Sequence, residues 1–95
     1  MHYRITRLHH SEKNQSGVKA YLESVTDEIV SIDGLLSITL ISVSKTETLG
    51  LSHYESEEKM INANPVQQKV LASAVKLLSG SPEIENGDVL WEWSR

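Results

Sequence analysis

The stretch LLSITLISV, residues 35–43, is followed across the polar residues Lys45-Thr46-Glu47 by TLGLSHY, residues 48–54. Both stretches are rich in leucine and in β-branched residues, a composition that is typical of β-strands. The connection between them is short and polar, as expected for a hairpin. The two stretches therefore predict an antiparallel strand pair in the middle of the chain.

Helical patterns flank this strand pair on both sides. Before it, residues 18–32 carry apolar side chains at spacings of 4, 3, 4 and 3, which predicts one amphipathic helix. After it, residues 57–78 give a second helical pattern that Pro65 interrupts. Proline suits the first turn of a helix and not its interior, so we expect this second helix to break and restart there.

Two further strands complete the order of elements. Residues 3–9 alternate in polarity before the first helix, and residues 88–93 follow the tight-turn pair Asn86-Gly87. The resulting order, β-α-β-β-α-β, predicts a ferredoxin-like α+β fold with an antiparallel sheet, in a single domain covering residues 1–95. On the last strand, Trp91 and Trp93 would share one face and pack in the core or in a subunit interface.

Composition and charge exclude several classes of function. The formal net charge of −4 and the scattered lysines argue against general nucleic-acid binding, which needs clustered basic residues. No apolar run approaches the ~20 residues of a membrane-spanning helix, and no signal-peptide pattern opens the chain, so we expect a cytoplasmic protein without a membrane contact. Cysteine is absent, which excludes disulfides and thiolate chemistry.

The second predicted strand is apolar on both faces. Alternation places Leu36, Ile38 and Leu40 on one face and Leu35, Ile41 and Val43 on the other. One face would meet the helices, and in so short a chain the other face needs a second subunit to cover it. This pattern predicts a homodimer.

Candidate binding residues lie on the first and third strands. Tyr54, Ser52 and Gly50 share one face of the third strand, and the small residues there leave space for a neighbour or a ligand. On the first strand, Arg4 and Thr6 point the same way, and Arg4 would either hold an anionic ligand oxygen or form a salt bridge with a carboxylate. The four histidines do not show the spacing of a metal site, so we expect no bound metal.

Several short motifs resemble one known family. The third strand ends in an aromatic residue and runs into Glu55-Ser56-Glu57-Glu58, a turn at residues 32–37 precedes the second strand, and Ala63-Asn64-Pro65 breaks the second helix. Together with Arg7-Leu8 on the first strand, these motifs are similar to those of the antibiotic biosynthesis monooxygenase-like proteins. The resemblance implies a dimeric α+β barrel in which two antiparallel sheets pack face to face, with a cavity between each sheet and its helices.

The resemblance also implies a range of activities. Some members oxidise polycyclic phenols with molecular oxygen and without metal or flavin, others cleave haem, and many have no established activity. Tyr54 stands where the family usually has a pocket tryptophan, whereas Gly50 stands where the oxygenases often have asparagine. Haem-degrading members use an asparagine on the first strand and a histidine on the second helix. This chain has Thr6 and no histidine there, so we expect neither haem nor any other cofactor.

These observations leave more than one function open. The first hypothesis is a cofactor-independent monooxygenase, or a related small-molecule enzyme, acting on an aromatic or quinol-like substrate held by Tyr54, Thr6, Arg4 and Ser52. The alternatives are a non-catalytic homodimer that binds a ligand or serves a structural role, and an accessory partner of a larger enzyme. The sequence assigns no catalytic residue.

Overall fold

The predicted order of elements is confirmed by a computed structural model that describes all residues 1–95. Strand β1 spans His2–His9, and after a 3₁₀ turn at Glu12–Asn14 the first helical region consists of α1 (Gln15–Ser24) and α2 (Thr26–Val30). The hairpin strands are β2 (Leu35–Ser44) and β3 (Glu47–Tyr54). Helices α3 (Glu57–Asn62) and α4 (Asn64–Ala74), a 3₁₀ turn at Val75–Leu77 and strand β4 (Glu83–Asp88) complete the chain.

The four strands form one antiparallel sheet in the order β2-β3-β1-β4. Along β1, buried and half-buried residues alternate strictly, because successive side chains point to opposite faces. The even-numbered residues from His2 to Leu8 face the helices, and the odd-numbered residues from Tyr3 to His9 lie on the opposite, outer face. This is a ferredoxin-like α+β fold, as the sequence predicted.

Both predicted helices are interrupted. The first, predicted as one helix over residues 18–32, is divided at Val25, whose φ of −108° and ψ of 19° leave the helical region. The second breaks at Ala63, two residues before Pro65, which confirms the predicted break and restart. The hydroxyl of Ser56 caps α3 by accepting a hydrogen bond from the Lys59 backbone N–H at 3.2 Å.

The predicted position of the last strand is wrong. Strand β4 covers Glu83–Asp88 instead of residues 88–93, so that Asn86 and Gly87 pair within the sheet instead of forming a turn. The cause is the partner strand: Asp88 pairs with His2, and the N–H of Val89 reaches the carbonyl of Met1, where the ladder with β1 ends. Trp91 and Trp93 consequently lie beyond the sheet, 79% and 64% exposed.

The predicted division of β2 into two faces is wrong at its start. Leu35 pairs with Tyr54, but the next pair is Ser37 with His53, which makes Leu36 the extra residue of a β-bulge. A bulge shifts the alternation by one residue, so Leu35 joins Ile38 and Leu40 on the helix side. Leu36 is left 48% exposed.

Gly34 connects the first helical region to β2 with a φ of 81°, a conformation that favours glycine. A Cβ atom at this position would lie 2.5 Å from Cβ of Lys59, so the close approach of α3 also requires glycine. The Gly34 carbonyl accepts a hydrogen bond from the N–H of Glu55 at 2.9 Å, which fixes α3 against the start of β2.

The core of one subunit is small. Only 12 of the 95 residues are buried, and nearly half of these are polar or charged. The compact apolar cluster of Tyr54, Met60 and Ala63 packs β3 against α3, with Ile32 and Leu35 at its edge. No helix combines the length and apolarity needed to cross a membrane.

Candidate functional site

The candidate site is a cavity of about 90 Å³ between the helix-facing side of the sheet and the helices. Its walls are mostly apolar and come from α1, α2, α4 and β2. On its sheet side the cavity is lined by Thr6, Ser52 and Tyr54, with Gly50 among them. Tyr21 also lines the cavity, but its hydroxyl donates to the carbonyl of Val70 at 2.8 Å. The cavity therefore combines an apolar enclosure with four hydroxyl-bearing side chains, three of them on the sheet.

The strand register brings the predicted binding residues together. Arg4 pairs with Ser52, and Thr6 pairs with Gly50, across the antiparallel β1–β3 ladder. Directly opposed residues share a face, so these side chains and that of Tyr54 all point toward the helices. Thr6, Ser52 and Tyr54 line the cavity. Arg4 does not line it and instead lines a neighbouring cleft.

Gly50 leaves room in the floor of the cavity. A Cβ atom built there would meet Cδ2 of Leu40 at 3.5 Å and the carbonyl oxygen of Thr6 at 3.7 Å, which are ordinary contacts. A small side chain is thus sterically compatible with this position. The glycine leaves that space without a side chain.

Tyr54 is the most deeply buried of the site residues, at 1% exposure. Its hydroxyl accepts a hydrogen bond from Nη1 of Arg4 at 3.2 Å, and the guanidinium lies 5.6 Å from the centre of the ring. Burial raises the pKa of the Tyr54 hydroxyl above 10.0, and the nearby positive charge of Arg4 only partly opposes this effect. Tyr54 is therefore a neutral phenol that accepts from Arg4 and keeps its own hydrogen for another acceptor.

A larger groove adjoins the cavity along the edge of the sheet. It has a volume of about 610 Å³ and runs between α1 and α2 on one side and β2 on the other. The groove and the cavity share five apolar wall residues: Val18, Leu22, Ile29, Ile38 and Leu40. The groove and the cavity are therefore direct neighbours.

Arg4 forms no salt bridge within the chain, so one of its two predicted roles is wrong for a single subunit. Its Nη2 donates to the carbonyl of Met60 at 3.4 Å and to Oδ1 of Asn64. No carboxylate lies within 4.0 Å of the guanidinium. Arg4 instead ties β1 to the break between α3 and α4.

Sequence reasoning missed the role of Asn64 and that of His2. Asn64, which the sequence marked only as part of the helix break, provides no side-chain cap and accepts a hydrogen bond from Arg4. His2 is 1% exposed, with Nδ1 at 2.7 Å from Asp88 and Nε2 at 3.0 Å from Asn86. No local sequence signal connects these residues, because the contacts join segments more than fifty residues apart.

The other histidines have separate partners. Nε2 of His10 lies 2.8 Å from the Thr48 hydroxyl, and His53 stacks on Tyr3 with ring centres 4.4 Å apart. No group of three or more histidine, cysteine or acidic side chains is arranged to hold a metal ion.

Comparison with known proteins gives a fold and no close relative. No family model matches the sequence, and no curated protein matches it. Among solved structures, a dimeric ferredoxin-like protein from an uncultured marine organism superposes with a TM-score of 0.81 at 16% identity, covering 99% of this chain and 91% of that one. A monooxygenase of Streptomyces coelicolor in complex with nanaomycin D gives 0.77 at 18% identity, covering 96% and 92%.

A third structure, a putative antibiotic biosynthesis monooxygenase from Deinococcus radiodurans, has a TM-score of 0.77 at 13% identity and covers 100% of this chain and 98% of that one. Proteins of unknown function are also among the similar structures, including one from Nitrosomonas europaea. The structural neighbours are thus antibiotic biosynthesis monooxygenase-like proteins with a ferredoxin fold. At these low identities they establish the fold of this chain and not its activity.

Proposed function

We propose that this protein is a homodimer that binds a small aromatic or quinol-like molecule between its sheet and helices and oxidises it with molecular oxygen, without a cofactor. The observation that supports this most is that Thr6, Ser52 and Tyr54 all line one mainly apolar cavity between the sheet and the helices. Ligand sites typically combine mostly apolar walls with a few placed polar groups.

Size determines how such a ligand would sit. Sites for drug-sized ligands have volumes of roughly 300–1,000 Å³, so the cavity of about 90 Å³ is too small for a whole aromatic molecule. The adjoining groove of about 610 Å³ is large enough. We therefore place the oxygen-bearing end of the ligand in the cavity and its ring system in the groove, against Leu22, Ile29 and Ile38.

Tyr54 would act on the ligand oxygen. Because its hydroxyl accepts from Arg4, its hydrogen is free to be donated to an oxyanion on the ligand. Burial keeps the phenol neutral and strengthens such a hydrogen bond, since the surroundings exclude water. Thr6 and Ser52 would orient the same end of the ligand.

The proposed reaction balances without an external reductant. A phenol with a free para position reacts with O₂, one oxygen atom enters the ring as the new carbonyl, and the other leaves as water with the two displaced hydrogens. The substrate supplies all four electrons and becomes a quinone. The protein's part is to exclude water and to stabilise the phenolate from which electrons leave. The solved monooxygenase with nanaomycin D has the same fold, which favours this chemistry.

The homodimer is supported by the outer face of the sheet and by the segment after β4, residues 89–95, which we call the tail. Ile41, which pairs with Leu49 on the outer face, is 40% exposed, and Leu90, Trp91 and Trp93 are mostly exposed beyond β4. So much exposed apolar surface is typical of an interaction site. One similar structure is described as dimeric.

A second candidate function is a homodimer that binds a ligand without catalysis or has a structural role. The small volume of the inner cavity favours it, as does Gly50 in place of asparagine.

The cytoplasmic location of the protein also stays a prediction.

Oxygen uptake and ligand binding, measured separately, distinguish the two functions. We expect a panel of 1-naphthols with a free para position to include at least one compound that drives oxygen uptake by the wild-type protein. Tyr54→Phe should reduce this rate by roughly tenfold or more, the effect of one lost hydrogen bond to a charged oxygen. Tyr3→Phe makes the same change on the outer face and is the matched control. Binding by calorimetry without oxygen uptake would support the second candidate, and the absence of both would reject a ligand site in this cavity.

A further inference from the structure

A second cleft lies on the far side of Arg4 from the cavity, between α4 and the edge of the sheet formed by β1 and β4. It has a volume of about 420 Å³, within the range of ligand sites. We call it the Arg4 cleft, and its walls include Arg4, Asn64, Gln68, Ala72, Ile84 and Asn86. It shares only Gln67 and Leu71 with the cavity between sheet and helices.

Arg4 is a buried cation without a counter-ion. It is only 3% exposed, yet its three hydrogen bonds go to neutral oxygens of Tyr54, Met60 and Asn64. An arginine carries five N–H donors, so at least two of them remain without a partner in the chain. Burying a charge is costly unless an opposite charge or enough hydrogen bonds compensate for it. An anion that accepted hydrogen bonds from the remaining donors would compensate for this buried charge.

The nearby acidic groups do not supply that anion. Asp88 lies 2.7 Å from His2 Nδ1, and Glu57 lies 3.8 Å from His2 Nε2, so both carboxylates are drawn to His2. The Tyr54 phenol is neutral, because its burial raises its pKa.

The amide groups around Arg4 are oriented as donors. Oδ1 of Asn64 accepts from Arg4, and Oδ1 of Asn86 lies 3.0 Å from His2 Nε2. In both residues the oxygen is occupied, which leaves the NH₂ group to donate. Together with the spare N–H groups of Arg4, the amides of Asn64 and Asn86 thus offer donors, which is what an anion requires.

The remaining walls are apolar and partly exposed. Ile84 is 48% exposed and Val75 is 52% exposed, and both line the cleft together with Ala72 and Pro82. These side chains would cover the apolar body of a ligand whose charged end reaches Arg4.

We propose that the Arg4 cleft binds an organic carboxylate with an apolar or aromatic body. The carboxylate accepts hydrogen bonds from Arg4 and from the amides of Asn64 and Asn86, and the body packs on Ile84 and Val75. This site is separate from the one proposed for oxidation, and either can exist without the other.

Benzoate and benzamide test this proposal, because they share a shape and differ in charge. We expect calorimetry or NMR titration of the wild-type protein to show benzoate binding at millimolar concentration, at least about tenfold tighter than benzamide. Arg4→Gln should abolish this preference. Arg7→Gln removes an arginine from the outer face, where it pairs with Glu47 at 2.5 Å, and should leave benzoate binding unchanged.

A second variant keeps the proposal testable even if Arg4→Gln fails to fold. Gln68→Glu adds a carboxylate to the exposed rim of the cleft without touching the hydrogen bonds of Arg4, and it should weaken benzoate binding while benzamide binding stays the same. Equal affinity for the two compounds in the wild-type protein, or no binding of either, would overturn the proposal. So would unchanged benzoate binding by a folded Arg4→Gln variant. None of these outcomes depends on oxygen uptake, so the proposed oxidation stands or fails separately.

Discussion

His2 Nδ1 lies 2.7 Å from Oδ1 of Asp88 and joins the first residue of β1 to the last residue of β4. The other ring nitrogen of His2 faces Oδ1 of Asn86 at 3.0 Å. With an acceptor oxygen at each nitrogen, the doubly protonated imidazolium is favoured, since it alone donates from both positions. The hydrogen bond with Asp88 is the main cause that raises the pKa of His2 above 6.5, and the same bond lowers the pKa of Asp88 below 3.8.

Stability should therefore fall as pH rises above neutrality. The folded protein holds the His2 proton more tightly than the unfolded chain, so this contribution is complete below pH 6.5 and is lost as the pH passes the raised pKa of His2. The carboxylate contributes in the opposite direction: its stabilisation is present above pH 3.8 and is lost as the pH falls through the lowered pKa of Asp88. Urea unfolding measured from about pH 5 to about pH 9, which spans the titration of histidine, tests the loss of the His2 contribution.

Asp88→Asn provides the control for this pH dependence, because it keeps a hydrogen-bonding group and removes the charge. The decline in stability above pH 6.5 should become shallower in this variant. Asp27→Asn removes a carboxylate from an exposed position on α2 and should leave the slope as in the wild type. Identical slopes in all three proteins would contradict a role for the His2–Asp88 pair.

Gly50→Ala should stabilise the fold. The added methyl group makes only ordinary contacts, the nearest at 3.5 Å from Leu40 Cδ2, and no positive φ is involved. Replacing glycine by alanine at a compatible position restricts the unfolded chain and is worth about 0.4–1 kcal/mol. Chemical denaturation measures the gain, and Gly80→Ala, where nothing lies within 4 Å, shows how much alanine changes stability at a position without packing contacts. A loss of stability in Gly50→Ala would show that the floor of the cavity has less room than the contacts indicate.

Local patterns predicted the fold well because they record which faces are buried. The period of two along β1 and β3 placed Arg4, Thr6, Ser52 and Tyr54 on one side of the sheet, and the register brought them together. The same reasoning failed where a distant partner decides the local structure. Asn86-Gly87 has the composition of a tight turn, yet it pairs as a strand because β1 lies beside it.

The bulge at Leu36 and the contacts of Arg4 were beyond sequence reasoning for a similar reason. One extra residue in β2 reverses which side chains face the helices, and nothing in the alternation of residues 35–43 marks it. The hydrogen bond from Arg4 to Asn64 depends on how closely α4 approaches β1, which is set by packing across sixty positions of sequence.

Ile41→Lys should weaken the proposed dimer. Ile41 pairs with Leu49 on the outer face of the sheet and is 40% exposed in one subunit, so a partner sheet would cover it. A lysine buried there without a counter-ion should raise the dissociation constant by roughly tenfold or more. Sedimentation equilibrium over a range of protein concentrations measures the change. Val30→Lys makes a similar substitution on α2, at 77% exposure, and should leave assembly unchanged. A wild-type protein that stays monomeric at all concentrations would refute the dimer.

The fluorescence of the two tryptophans can report whether the tail takes part in dimer assembly. Trp91 and Trp93 are the only tryptophans of the chain, and both lie in the exposed segment after β4. If this segment packs against a second subunit, as its apolar side chains predict, tryptophan emission should shift to shorter wavelength as protein concentration rises through the dissociation constant. Deleting residues 90–95 should preserve the circular dichroism of the fold, because these residues belong to no strand or helix, while weakening association. An emission maximum that stays constant across the concentration range, together with unchanged association of the shortened chain, would exclude the tail from the interface.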